Sequence, residues 1–501
     1  MYSTQYSSTC TLSKPNSYTQ HHVPLLPSIG ILEPTEGRRD ATQMAQRRDE
    51  VDVVVIGAGA AGLTAARELT AKGQSVLVLE AAGKVGGRVL SDTSLAGWHL
   101  ELGPEFLHGE KNNLLLDLVK KGIKNKPDAS LVELEWPNYY WFNKEGTLVP
   151  AEQADEMEDV ALMHESFEKL GEMEPEEAGL PPDQSLLQYF ASCGLSSRVL
   201  DLADAIFAND YAADMSDVGL REVMHEQRHW AYGEKYLVLK GACLQDCMDT
   251  LANGLPVRTG WQVRDVRTLP PSTGGGVEVH DASGRRTVRA RAAIVTVPLA
   301  ALQRGEMRFE PPLPAPTTTA ISTLSMGSAL KVIVKLGRRF WPADFYDAVC
   351  ADAFMPEVWL SPAAELMKPE CPPPYTMVGF VAGSRAKRVA KLPHADIARQ
   401  MLAQLDAMFG TPTDPNPASG SCLGYLVKDW AVQPHIYGAY THPTKGAHGM
   451  RPALASPVHG AIFFAGEACH QGVNPCLHGA METGHEAAER CLKRISRRSK
   501  L

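Results

Sequence analysis

An α/β protein built on a dinucleotide-binding unit is what this sequence predicts, and three observations carry the prediction. A β-branched run, Val51 to Ile56, leads directly into Gly57-Ala58-Gly59-Ala60-Ala61-Gly62 and then into the helix-prone stretch Leu63 to Lys72. A second apolar run, Ser75 to Leu79, ends on Glu80 and completes a strand, helix, strand unit. Far downstream the same grammar returns: Ala461 to Phe464 reads as a strand, Gly466-Glu467 as a turn, and Gly479 to Leu492 as a helix. A chain of 501 residues exceeds one ordinary core, so two interleaved domains are expected.

The glycines of the first turn have separate tasks. Gly57 permits the turn, Gly59 lets backbone approach a pyrophosphate, and Gly62 allows the helix to pack closely against the strand. The helix N-terminus then faces the phosphates. Glu80 is placed to accept hydrogen bonds from a ribose, and an acid there disfavours a 2′-phosphate. NAD and FAD share this fingerprint. Gly86-Gly87-Arg88 follows at the place of a second phosphate contact in flavoproteins, although Arg88 reads equally as a surface cation.

Residues 150 to 240 are acidic and helix-prone, as in Glu152 to Leu170. From Val257 the pattern changes to short strands, including 276 to 279 and 292 to 298 with a glycine-rich hairpin loop between them. Lys331 to Leu336 is another strand, and a helix from Ala395 to Phe409 precedes a proline-rich connection at 412 to 417. The sequence contains no internal repeat.

A formal net charge of −9 argues against an extended nucleic-acid surface and mildly favours a cationic substrate. Ten cysteines without a CxxC pair or zinc spacing read as reduced thiols and predict no metal site; Cys243 and Cys247 are neighbours on one helical face. No apolar run is long enough to cross a bilayer and no secretory signal is visible, so a soluble intracellular protein is expected. Residues 1 to 50, rich in Ser, Thr, Pro and Gln, read as a disordered tail. The first 32 residues lack acidic side chains, as in a transit peptide, but they also lack arginine. Ser499-Lys500-Leu501, within a tail from 496 to 501, matches the tripeptide read by the peroxisomal import receptor, with cytoplasm as the alternative. No feature specifies an oligomeric state.

Three distant segments, Val53 to Arg88, Glu101-Leu102-Gly103-Pro104-Glu105-Phe106-Leu107-His108-Gly109, and Phe464-Ala465-Gly466-Glu467 through Leu477-His478-Gly479-Ala480, together resemble the flavin amine oxidase family, and most of all its polyamine oxidases. Thr296-Val297-Pro298-Leu299 and Arg339-Phe340-Trp341-Pro342 look like the same family. The resemblance spans most of residues 50 to 495. It implies a Rossmann-type FAD domain assembled from 50 to 130, 243 to 310 and 436 to 495. An α+β substrate domain would come from 131 to 242 and 311 to 435. By similarity the FAD contacts are Gly57, Gly59, Ala61, Gly62, Glu80, Arg88, Gly103, Pro104, Val263, Trp430, Gly466, Glu467 and Leu477. Gly103 and Pro104 would lie along the isoalloxazine, Val263 at the adenine, and Glu467 at the ribityl or pyrophosphate region.

The same resemblance assigns the chemistry. Lys331 matches the strand lysine that holds a water at flavin N5, and Lys335 does not. His108 matches a position beside the substrate chain, with Glu105 nearby, and Tyr440 is one wall of an aromatic cage. Cys476 stands where many small-amine oxidases have the second wall, so the cage is expected to be one-sided. Ala439 replaces the cysteine that monoamine oxidases link to flavin, which implies dissociable FAD. The expected reaction is oxidation of spermine, spermidine or their N1-acetyl forms with oxygen, giving an imine, then an aldehyde and a shorter amine, and hydrogen peroxide. An L-amino-acid oxidase is the alternative, needing a cation for the substrate carboxylate, and a flavin-binding scaffold without turnover is the non-enzyme alternative. Histone demethylation is not expected, since no long helical insertion or nuclear signal is visible.

Overall fold

The computed structural model describes residues 49–124, 126–173, 184–366, 368, 370–472 and 476–498. Its first sheet is organised on Asp49–Ile56, which runs parallel to Val76–Leu79 on one side and to Thr287–Val295 on the other. Parallel strands covered on both faces need apolar residues on both, and Val53, Val54 and Val55 are all fully buried. Thr287–Val295 shares its far edge: its first half pairs antiparallel with Val277–Asp281, and its last three residues run parallel to Ile462–Phe464. Val257–Arg258 lies outside Val76–Leu79, while Val263–Thr268 and Arg308–Glu310 close the opposite side. The closing helix, Leu477–Arg498, is longer at both ends than its apolar pattern suggests. It packs on helix Ala60–Ala71, where a Cβ on Gly484 would stand 2.2 Å from the Ala61 carbonyl oxygen.

A second, largely antiparallel sheet has seven strands. Ala329–Leu336 lies between Tyr375–Ala382 and Cys422–Asp429, and the order continues through Glu357–Leu360, Asp347–Ala351, Tyr139–Phe142 and Thr147–Pro150. The acidic region is helical as expected through Leu220–His229. It then departs from expectation: Tyr236–Lys240 is a strand, because Ser130–Leu134 and Leu107–His108 pair with its two edges and propensity yields to pairing. Within the helical region, Ser197–Ala203 widens into one π-helical turn, Asp204–Ala208.

Among the described residues the nine cysteines are free thiols, no His/Cys/Asp/Glu group could hold a metal, and no helix is long and apolar enough to cross a membrane. Of the tail expected at 1–50, residues 1–48 lie outside the described residues, as does Ser499-Lys500-Leu501, whereas Asp49 and Glu50 already belong to the first strand.

Candidate active site

Three glycines of the first turn meet different surroundings. Gly57 has φ +108°, and a Cβ on it would stand 2.5 Å from Thr296 Oγ1. A Cβ on Gly62 would stand 2.0 Å from the Gly57 carbonyl oxygen, so only glycine lets the helix start this close to the strand. At Gly59 a Cβ would meet no described atom within 4 Å, and the same holds at Gly466. The protein's own packing leaves clearance at both, and at Gly466 the φ of +128° itself favours glycine.

That clearance is part of a cavity of about 900 Å³. Its walls bring together Gly57, Gly59, Ala61, Glu80, Arg88, Gly103, Pro104, Val263, Trp430, Gly466, Glu467 and Leu477, and beyond them Glu105, His108, Lys331, Tyr440 and Cys476. Of the residues picked out from the sequence, Gly62 alone stands behind the wall, in its packing role.

The dinucleotide side is charge-balanced and rigid. Glu80 accepts hydrogen bonds from the backbone N–H groups of Ala58 (2.7 Å) and Ala82 (2.8 Å), which fixes both carboxylate oxygens at the end of their strand. Arg88 Nη1 donates to the Ala439 carbonyl and to Glu467 Oε1, both at 2.9 Å. Glu467 also receives the Thr441 hydroxyl. Burial alone would raise the Glu467 carboxyl, but Arg88, Thr441 and Arg451 together hold it below the usual carboxylate range. Trp430 Nε1 donates to the Leu102 carbonyl at 2.9 Å, and a Cβ on Gly103 would stand 1.9 Å from the Arg88 carbonyl oxygen. The Leu102-Gly103-Pro104 segment is thereby pinned between Arg88 and the indole.

Lys331 is not the solvated edge residue that a strand lysine usually is. Its strand is interior to the second sheet, and the residue is 5% exposed. Nζ donates to the Glu101 carbonyl at 3.0 Å and to Glu105 Oε2 at 3.3 Å, and it lies 5.1 Å from the Trp359 ring centroid. Trp359 Nε1 (3.0 Å) and the Ser361 hydroxyl (2.6 Å) donate to the same Glu105 carboxylate. Burial, with the charge of Glu105 adding to it, pushes the Glu101 carboxyl up to about 8.

His108 packs edge-on against Tyr236, ring centroids 5.0 Å apart, and burial lowers its imidazole to about 4, so it is neutral at physiological pH. The Tyr440 hydroxyl donates to the Asp210 backbone carbonyl at 2.8 Å, which holds that wall in place. Cys476 lines the same cavity, its thiol pushed well up by burial.

Among the acidic residues lining this cavity that escaped the sequence reading are Asp210, Glu226 and Glu357. They come from the segment after the π turn, from helix Leu220–His229 and from strand Glu357–Leu360, and no spacing pattern connects them. Asn209 Nδ2 donates to Glu357 Oε1 at 2.6 Å, and the Tyr211 hydroxyl to Glu226 Oε2 at 3.0 Å. Among the described residues nothing hydrogen-bonds the Asp210 carboxylate, which opens onto the cavity and is pushed up to about 6 by burial. Glu357 is pushed well up by burial and by Asp210.

Comparison with known proteins decides what this cavity belongs to. The family model described as flavin containing amine oxidoreductase matches residues 60–492. The chain belongs to this family. Within the flavin containing amine oxidoreductases, Polyamine oxidase 2 of Arabidopsis thaliana is 29% identical over 465 residues, 89% of each chain. Polyamine oxidase 4 of Oryza sativa subsp. japonica is 28% identical, covering 93% of this chain and 92% of its own. Cyclohexylamine oxidase from Brevibacterium oxydans IH-35A shares the fold with a TM-score of 0.74 at 22% identity, over 89% of this chain and 99% of that one. Like the family, the chain is an FAD-dependent amine oxidase. The FAD is held without a covalent bond, and the Ala439 side chain is a methyl group that offers no thiol.

Proposed function

We propose that the chain is a polyamine oxidase that oxidises spermine, spermidine or their N1-acetyl forms. The observation that carries this reading is the trio Asp210, Glu226 and Glu357 on the wall that also holds Lys331, His108 and Tyr440. A polyamine presents several ammonium groups, and carboxylates in a low-dielectric cavity compensate the cost of stripping water from them. The two plant polyamine oxidases similar over nearly the whole chain support the same reading.

In this proposal the segments of the first sheet form the FAD domain. Gly59 and Gly466 leave room for the pyrophosphate and ribityl chain, Glu80 meets the ribose, Val263 the adenine, and Arg88 a phosphate. Gly103, Pro104 and Trp430 bound the isoalloxazine. FAD, when bound, would supply the two-electron acceptor, with oxygen as the final oxidant and hydrogen peroxide as its product. The protein's residues arrange the amine. Asp210, Glu226 and Glu357 hold its distant ammonium groups, while neutral His108 and Tyr440 border the reacting nitrogen, which must lose its proton before its carbon gives up hydride. Lys331 directs a water at the reacting face. The resulting C=N bond takes up water, and its C–N bond breaks to leave an aldehyde and a shorter amine.

An L-amino-acid oxidase needs a cation free to hold a carboxylate. Of the cations lining the cavity, Lys331 is matched by Glu105, Arg88 by Glu467 and Lys235 by Glu133, with exposed Lys84 the exception, which favours the polyamine reading. The test is a peroxide assay of purified enzyme with spermine, spermidine and their acetyl forms beside leucine and phenylalanine. Peroxide from the amino acids and none from the polyamines would overturn the proposal.

A further inference from the structure

The carboxylate of Glu105 has three partners and none of them is free for substrate. Oε2 receives Lys331 Nζ at 3.3 Å and Trp359 Nε1 at 3.0 Å, and Oε1 receives the Ser361 hydroxyl at 2.6 Å. The side chains of Lys331 and Glu105 are 7% and 8% exposed, so each is the other's main charge compensation. An ammonium has three donors. Two are committed, to the Glu101 carbonyl and to Glu105, which leaves one for the cavity that Lys331 lines.

We propose that Glu105 is a positioning residue rather than a substrate residue: it keeps Lys331 aimed, acting on the chemistry through the lysine. This rests on the flavin amine oxidase reading of Lys331. Trp359 and Ser361 stand two residues apart on and beside one strand and together grip both Glu105 carboxylate oxygens, which fixes its orientation. Its backbone belongs to the segment pinned at Gly103 by Arg88 and at Leu102 by Trp430. Glu101 O, the Gly103-Pro104 wall and the Glu105 carboxylate therefore come from one rigid stretch, which ties the direction of the lysine to the position of that wall.

Other charges also face Lys331. Glu101 and Glu357 interact with it, and Lys428 is its cross-strand neighbour on Cys422–Asp429. Glu101 is pushed up to about 8 by burial, and Glu357 is raised by burial and by Asp210, while neither side chain is a hydrogen-bond partner of the lysine. Lys428 sits over the Trp430 ring at 4.6 Å and adds a like charge. Glu105 is thus the anion that the lysine contacts directly.

The experiment uses FAD-loaded wild type, Glu105→Gln, Glu105→Asp and Lys331→Met. Two readouts avoid the amine: the visible absorbance of the resting flavin titrated between about pH 6 and 10, and the rate of reoxidation by oxygen after reduction with dithionite. Lys331→Met should remove the inflection seen in wild type. Glu105→Gln should displace it, because the lysine loses the anion that it contacts directly. It should also slow reoxidation about tenfold or more near neutral pH. Glu105→Asp, which keeps the charge, should restore most of both. A wild-type inflection and rate in Glu105→Gln, with only the KM for amine raised, would make Glu105 a substrate residue and overturn the proposal. An unchanged profile in Lys331→Met would instead remove the reading of the lysine on which it rests. If Glu105→Gln does not retain flavin, Ser361→Ala carries the test, with a smaller displacement expected and none overturning it.

Discussion

Replacing Asp210 by asparagine isolates the interaction on which the polyamine reading depends. The side chain opens onto the cavity, nothing among the described residues hydrogen-bonds its carboxylate, and its shape survives the substitution while its charge does not. A hydrogen bond to a charged group contributes about 1.5 to 3 kcal/mol net, which corresponds to roughly a ten- to hundredfold rise in KM. Glu226 and Glu357 remain on the same wall, so the lower end, about tenfold, is expected for spermine or spermidine. A monoamine such as benzylamine has no second ammonium and should change by less than about twofold. The pH dependence has a definite sign. Burial raises the Asp210 carboxyl to about 6, so kcat/KM for a polyamine should fall as pH drops through that value, and the inflection should vanish in Asp210→Asn. An acid whose folded value is raised above 3.8 costs stability once ionised, so the variant should melt no lower than wild type near neutral pH. The assay is initial-rate peroxide formation for both amines across pH, with a thermal melt as control. Equal losses for benzylamine and spermidine, or an unchanged KM for spermidine, would refute the reasoning.

Gly62→Ala places a Cβ 2.0 Å from a backbone oxygen and should lower stability by about 1 to 3 kcal/mol in a denaturant titration. Gly59→Ala meets no described atom within 4 Å, so it should melt like wild type when flavin-free yet purify with much less FAD, as read from the ratio of visible to ultraviolet absorbance. Acid precipitation with heating should leave the flavin in the supernatant; yellow colour remaining with the pellet would contradict non-covalent binding. An N-terminal fluorescent fusion should label peroxisomes and disperse when Ser499-Lys500-Leu501 is deleted, and an unchanged pattern would remove the targeting proposal.

Local rules made the first sheet readable in advance. Its first strand is a continuous β-branched run that leads into Gly57, whose φ of +108° favours glycine, and both signals sit within a few residues of each other. Lys331 could be placed on a strand, but periodicity could not tell an edge from an interior strand, and only the pairing with Tyr375–Ala382 and Cys422–Asp429 shows that it is buried. Tyr236–Lys240 was misread because its partners lie about a hundred residues away in one case and over a hundred in the other, beyond any window of propensity. Asp210, Glu226 and Glu357 were unreadable for a related reason. Asp210 and Glu226 look like ordinary acids in an acidic stretch and Glu357 like the end of an apolar strand, and only the fold brings the three elements to one cavity. Glu105 lies three residues from His108 in sequence, and only the fold shows that its carboxylate turns toward Lys331.

The π turn at Asp204–Ala208 has a consequence for how this cavity can change. An α-helix advances about 100° per residue, so the additional residue accommodated in the wider turn sets the direction in which Asn209, Asp210 and Tyr211 leave it. Asn209 then spans the gap, accepting the Ala382 N–H and donating to Glu357. Deleting one residue from the turn would rotate all three side chains together and withdraw the carboxylate, the amide bridge and the phenol from the cavity at once. Which amines fit is therefore set by the length of this segment as much as by its letters, and a single codon lost or gained there would retune the pocket more than most point substitutions along its wall.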